Sequence, residues 1–108
     1  MIKSRQFRYT VVTGSLVLLM ALPCRSQSLW DLAKKNREIL KISTLFTAQN
    51  VRDHLSSDEG INSAIDWCKK TAITHVFIES YRDGYTAERK TLEHTRDRFK
   101  TEGFEVSG

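Results

Sequence analysis

Apolar positions along this chain change their spacing in a regular way. Lys41 to Thr47, KISTLFT, mixes β-branched, hydroxyl and apolar residues and predicts a strand. A short helical turn is expected through Gln49–Leu55. Ser56 with Glu59 three residues on forms a capping-box pattern, and Ile61, Ala64, Ile65, Cys68 and Ala72 then follow helical spacing. His75 to Tyr81 predicts a second strand. Its Val76, Phe77 and Ile78 are apolar in succession, the habit of a parallel strand covered on both faces. Asp83-Gly84 marks a turn, Thr86 is placed to cap a helix running to about Glu102, and Gly103 suits its C′ position. Leu92, Thr95 and Phe99 give that helix its inner face. Phe104 to Val106 begins a third strand.

Strand starts near 42, 75 and 104 recur about every 30 residues, the period of a (β/α)₈ barrel. The predicted fold class is therefore α/β: a partial (β/α)₈ barrel of about two and a half β/α units after an N-terminal signal peptide. A doubly wound α/β sheet has the same local pattern and stays open as an alternative. Three parallel strands leave two unpaired edges, so 41–108 reads as an incomplete barrel-type domain and the chain as an N-terminal fragment.

Ahead of it, 27–40 is a linker or short helix. Ser28 is placed as N-cap, and a partial stripe of Leu29, Leu32, Ala33, Ile39 and Leu40 is interrupted by Asn36. Residues 1–26 have the three parts of a secretory signal peptide. Met1–Thr10 is basic, Val11–Leu22 is uncharged, and Pro23 leads to small residues that place cleavage between Ser26 and Gln27. The uncharged core is too short for a membrane span. A lipidated Cys24 is a lesser alternative, poorly matched because Pro23 precedes it. The expected location is secreted or periplasmic, with membrane contact only through this leader.

The formal charge of +4 on 108 residues changes meaning once located. Lys3, Arg5, Arg8 and Arg25 supply all of it, and from Gln27 onward thirteen basic residues face thirteen acidic ones. A neutral domain lacks the basic stripe that phosphate binding needs, which argues against nucleic acid as a partner. After cleavage Cys68 stands alone, so no intramolecular disulfide forms, and His54, His75 and His94 are too scattered for a zinc motif. No Gly-rich phosphate loop, dinucleotide fingerprint or Ser-His-Asp order is present, and no cofactor is indicated.

Candidate chemistry gathers at the end of the second strand. Period-2 alternation puts Phe77, Glu79 and Tyr81 on one face, and a carboxylate at such a rim is costly unless it is paired or working. Glu79 is accordingly either a ligand contact or half of an ion pair with Arg82. Arg82, Asp83 and Tyr85 form a polar, aromatic loop of the sort that grips sugar hydroxyls or carboxylates, or else a plain Asp-Gly turn. Thr44 and Thr47 could add hydroxyls from the first strand.

From Ile42 onward the sequence resembles a group of secreted bacterial glycoside-hydrolase-like TIM-barrel proteins. The resemblance rests on STLFTAQNVRDHL at 43–55, AIDWCKK at 64–70, HVFIESYRDGY at 75–85 and FKTEGFEVSG at 99–108. It implies a carbohydrate ligand contacted by Glu79, Arg82, Asp83 and Tyr85. It also implies paired catalytic carboxylates on later strands, so catalytic residues are not assigned and the chain is expected to be inactive alone. The competing expectation is a small exported, non-catalytic α/β binding module that completes its sheet by oligomerisation. Oligomeric state is left open.

Overall fold

The computed structural model describes residues 28–108. The predicted signal peptide, its Ser26–Gln27 cleavage point and Cys24 lie outside the described residues. Helix α1 (Leu29–Lys35) is followed by strand β1 (Ile42–Phe46), helix α2 (Ala48–His54) and helix α3 (Asp58–Lys70). Strand β2 (Ile73–Ile78), a two-stranded hairpin of β3 (Tyr81–Arg82) and β4 (Tyr85–Thr86), helix α4 (Arg89–Thr101) and strand β5 (Glu105–Ser107) complete the order. β1 and β5 each pair in parallel with β2, giving a sheet ordered β1-β2-β5. The fold is α/β with a parallel sheet, as the strand–helix alternation predicts.

Helices α1, α2 and α3 each start where a side chain satisfies a free N–H group. Thr47 Oγ1 accepts from Asn50 N, and Asn50 Oδ1 accepts from Thr47 N, a reciprocal box that makes α2 a full two-turn helix. The cap of α3 is Ser57 and not Ser56: its hydroxyl accepts from Gly60 N at 3.2 Å. Gly60 is needed there, because a Cβ would fall 1.7 Å from the His54 carbonyl oxygen where α3 abuts the end of α2. Ser28 caps α1 as expected, accepting from Asp31 N at 3.1 Å. That helix stops at Lys35, five residues short of the predicted Leu40. Asn36 turns its side-chain amide onto the Leu32 carbonyl, and such local bonds compete with helix continuation. The expected α1 stripe does not join the core either: Leu29 is 82% and Ile39 88% exposed, and Ala33 alone is buried.

Ala72 was expected as the last residue of the α3 stripe. It is buried, but it sits past the helix in the left-handed region at φ 58°, where the chain reverses into β2. The start of the last helix also differs. Asp83 and Gly84 at φ 50° and 79° form a two-residue hairpin turn, with Arg82 opposite Tyr85 and Tyr81 opposite Thr86. Thr86 is thereby taken into β4, and α4 begins three residues later at Arg89, with Glu88 as an N-cap that makes no side-chain bond.

The core lies between the sheet and the helices. Val51 from α2, Leu55 at its C-cap, Ile61, Ile65 and Cys68 from α3, Val76 and Ile78 from β2, and Phe99 from α4 are buried together. Phe99 anchors the cluster, its ring 5.7 Å from Phe46 and 5.4 Å from Phe104, both within the range of favourable aromatic pairing. The opposite sheet face is bare. β1 and β2 place Leu45 directly beside Phe77, and these side chains are 48% and 40% exposed. The three apolar residues in succession thus do not mean two covered faces among the described residues.

Candidate functional site

The site of interest lies where the parallel strands end and their loops begin. Strand β2 finishes at Ile78, but the ladder runs one bond further, Glu79 N donating to the Phe46 carbonyl at 2.9 Å. That bond brings the Glu79 side chain to the start of α2. Its Oε2 accepts from the Ala48 backbone N–H at 3.2 Å and from Arg82 Nε at 2.8 Å. The Glu79 side chain is 25% exposed and that of Arg82 43%, so the bond to Ala48 is part-buried and the ion pair faces solvent.

These donors set its protonation. The Arg82 guanidinium, seconded by the Ala48 N–H, holds the Glu79 carboxyl below its ordinary value against the opposing effect of desolvation. Glu79 in turn pushes Arg82 up. A general acid in glycoside hydrolysis must keep its proton near neutral pH, which needs a raised pKa. Glu79 is shifted the other way and suits accepting hydrogen bonds as a carboxylate. Among the described residues Oε1 of Glu79 and the two Nη atoms of Arg82 have no protein partner, which leaves an acceptor and donors side by side at the rim.

The hairpin that presents Arg82 is held from α2. Gln49 Nε2 donates to the Arg82 carbonyl at 3.3 Å, and the Arg52 guanidinium lies 4.8 Å from the centre of the Tyr85 ring. Within the hairpin, Gly84 N donates to Tyr81 Oη at 3.2 Å. Arg52 itself is bonded to Asp53, Nε to Oδ1 at 2.6 Å and Nη2 to Oδ2 at 3.1 Å. Of the expected residues, then, Glu79 and Arg82 are in direct contact. Asp83 occupies the exposed turn beside Arg82, and Tyr85 is half-buried against α2. The Thr47 hydroxyl is consumed as the α2 cap.

Sequence reasoning missed α2 as the organiser of this rim. The Thr47-x-x-Asn50 pattern was a legible cap, but nothing local links Gln49 or Arg52 to a hairpin some thirty residues away. It also missed the exposed sheet face below, where His75 stacks on Phe77 at 4.3 Å and its Nε2 lies 2.9 Å from Ser107 Oγ. Two surface grooves of about 690 and 640 Å³ lie apart from the Glu79–Arg82 pair, one between α1 and the N-terminal ends of the strands, the other beside β1 under Trp67. Cys68 is fully buried, and its thiol is pushed up to about 11 by that burial, so it is an inert core residue. Among the described residues no group of three His, Cys, Asp or Glu side chains converges as a metal site, and no helix is long and apolar enough to cross a membrane.

A parallel α/β sheet with polar side chains at its strand ends is the framework of many sugar-processing and nucleotide-binding proteins, and the fold alone does not choose among them. The sequence does: residues 27–108 match the family described as "Probable glycosyl hydrolase, catalytic domain", and the chain belongs to that family. Neither a curated protein nor a solved structure matches it.

Proposed function

We propose that this chain supplies the opening β/α units of an exported (β/α)₈-barrel glycoside hydrolase of bacterial type, with Glu79, Arg82, Asp83 and Tyr85 forming one wall of its sugar-binding cleft. The observation behind this reading is the position of the Glu79–Arg82 pair in a chain of glycosyl-hydrolase family. It stands at the C-terminal ends of parallel strands, where α/β enzymes bind their ligands. The bare face bearing Leu45 and Phe77 agrees with it, since in a closed barrel that face is the packed interior. Glu79 and Arg82 bind and orient hydroxyls. The acid and its partner carboxylate, which must stand about 5–10 Å apart across the scissile bond, belong to other strands of the barrel, so these units alone do not turn over substrate.

The test is titration of full-length protein with oligosaccharides, wild type against Glu79→Gln. Carbohydrate affinity or turnover is expected to fall more than thermal stability does. Unchanged affinity with a lowered melting temperature assigns Glu79 to structure. Mass spectrometry of the protein recovered outside the cytoplasm is expected to begin it at Gln27; a lipid on Cys24 overturns that cleavage point.

A second reading is favoured by the free edges of β1 and β5, each paired on one side only among the described residues. On it, the chain is a non-catalytic exported module whose sheet is completed by another copy. Concentration-dependent dimerisation of residues 27–108 in sedimentation supports this reading, and a monomer at every concentration removes it.

A further inference from the structure

The segment ahead of the sheet carries the two most exposed large apolar side chains among the described residues, Leu29 and Ile39, and Trp30, Leu32 and Leu40 beside them are each about half exposed. In α1, Leu29, Leu32 and Ala33 share one side at helical spacing, with Trp30 at its margin and Asp31, Lys34 and Lys35 on the other side. Ile39 N and Leu40 N both donate to the Asn36 carbonyl, at 2.9 and 2.7 Å, so a tight turn follows directly on the helix. The same short stretch holds a surplus of positive charge. Lys34, Lys35, Arg37 and Lys41 stand against Asp31 and Glu38, whereas residues 42–108 carry eleven acidic residues and nine basic ones. Lys34 lies 3.8 Å from Asp31, and Lys35, Arg37 and Lys41 make no ion pair among the described residues. The stretch also sits at the far end of the sheet from Glu79. Lys34, Arg37 and Lys41 line the larger groove together with Ile73 at the start of β2 and Glu105 at the start of β5.

Apolar side chains left in water beside unpaired cations, with a tryptophan among them, match the surface of an anionic bilayer. There the apolar groups enter the headgroup boundary, the indole sits at the interface and the cations meet lipid phosphates. No helix among the described residues is long and apolar enough to cross a bilayer, so the contact is a surface one. We propose that residues 29–41 dock on an anionic lipid surface without help from the leader, leaving the Glu79–Arg82 rim at the end of the sheet away from the lipid. This contact is independent of sugar binding. The experiment is cosedimentation of protein expressed from Gln27, and otherwise full length, with vesicles of phosphatidylcholine alone or containing about one part in four of phosphatidylglycerol. Binding to the anionic vesicles is expected to be at least about tenfold tighter and to weaken as salt is added. Lys35→Gln and Arg37→Gln, both at exposed positions, are each expected to weaken it about fivefold, and Leu29→Ser combined with Ile39→Ser to abolish it. With brominated lipid, fluorescence quenching is expected to fall in Trp30→Phe while binding persists. Binding to neither vesicle, equal binding to both, or binding that these substitutions leave unchanged overturns the proposal. A dimer that Leu29→Ser with Ile39→Ser breaks, without vesicle binding, overturns it as well and assigns this surface to a second copy.

Discussion

The two faces of the β1-β2-β5 sheet are built from one set of strands and have opposite fates. On the helix side, Val76 and Ile78 are buried against Val51, Ile61, Ile65 and Phe99. On the other side, Leu45 and Phe77 lie half in water with His75 and Ser107 as neighbours. Apolar side chains are present on both faces, so composition does not separate them. Cover does. The helix face is finished by short connections whose helices carry matching apolar stripes, and a contact made within one β/α unit is complete as soon as that unit folds. The bare face has no such local partner among the described residues, and on the proposed barrel reading it would be covered by elements more distant in the fold.

This contrast is open to direct attack, and the largest effect comes from the covered side. Phe99→Ala removes a fully buried ring that touches Phe46 and Phe104, and is expected to cost about 3–5 kcal/mol in denaturant unfolding of residues 27–108. Phe77→Ala in the same 27–108 chain is expected to cost less than about 1 kcal/mol, since much of its surface is already wet. In full-length protein the barrel reading predicts that Phe77→Ala approaches the Phe99→Ala loss. If the Phe77 loss stays small there, the bare face is a true surface and the barrel reading fails.

A smaller effect of opposite sign is expected at Thr95. Its side chain is fully buried on α4, and Oγ1 has no hydrogen-bond partner among the described residues. Thr95→Val exchanges an unsatisfied hydroxyl for a methyl group of similar shape and is expected to stabilise by about 1 kcal/mol in the same assay. A loss of stability instead means that a water or a neighbouring group satisfies the hydroxyl.

The smallest effects are electrostatic, at the strand-end rim and between α3 and α4. The Glu79 carboxyl is held low by Arg82 and the Ala48 N–H, and that of Asp58 by His94, at 2.7 Å, and by Arg98. A carboxyl with a depressed folded pKa binds its proton less readily than in the unfolded chain. Its stabilisation is therefore complete above the ordinary carboxylate range, about pH 4, and is lost as pH falls through the lower folded value. The unfolding midpoint is expected to hold level from neutrality to about pH 5 and to drop below that. Glu79→Gln and Asp58→Asn are each expected to flatten the drop. A wild-type midpoint that does not fall in acid removes the case for either pair.

The rim shows where sequence reading stops. Strand β2, the Asp83-Gly84 turn and the Glu79–Arg82 partnership were all legible, because an apolar run, a left-handed turn and an i, i+3 ion pair depend on residues close in the chain. The same locality explains the errors. Thr86 looked like a helix cap until the hairpin claimed it, Ser56 looked like the α3 cap until Gly60 N faced Ser57, and α1 carried a stripe of which Ala33 alone is buried among the described residues.

By itself, then, the sequence determined the alternation of the three parallel strands with helices, the neutral charge of residues 27–108, and the family to which the chain belongs. Only the tertiary structure decided that Glu79 is an ionised carboxylate at the start of α2, that Gln49 and Arg52 hold the hairpin, and that one sheet face is bare. The physical reason is distance along the chain. Periodicity and capping report on neighbours within one or two turns, whereas Ala48 and Glu79, or Phe46 and Phe99, meet only after parallel strands have been brought into register by helices between them.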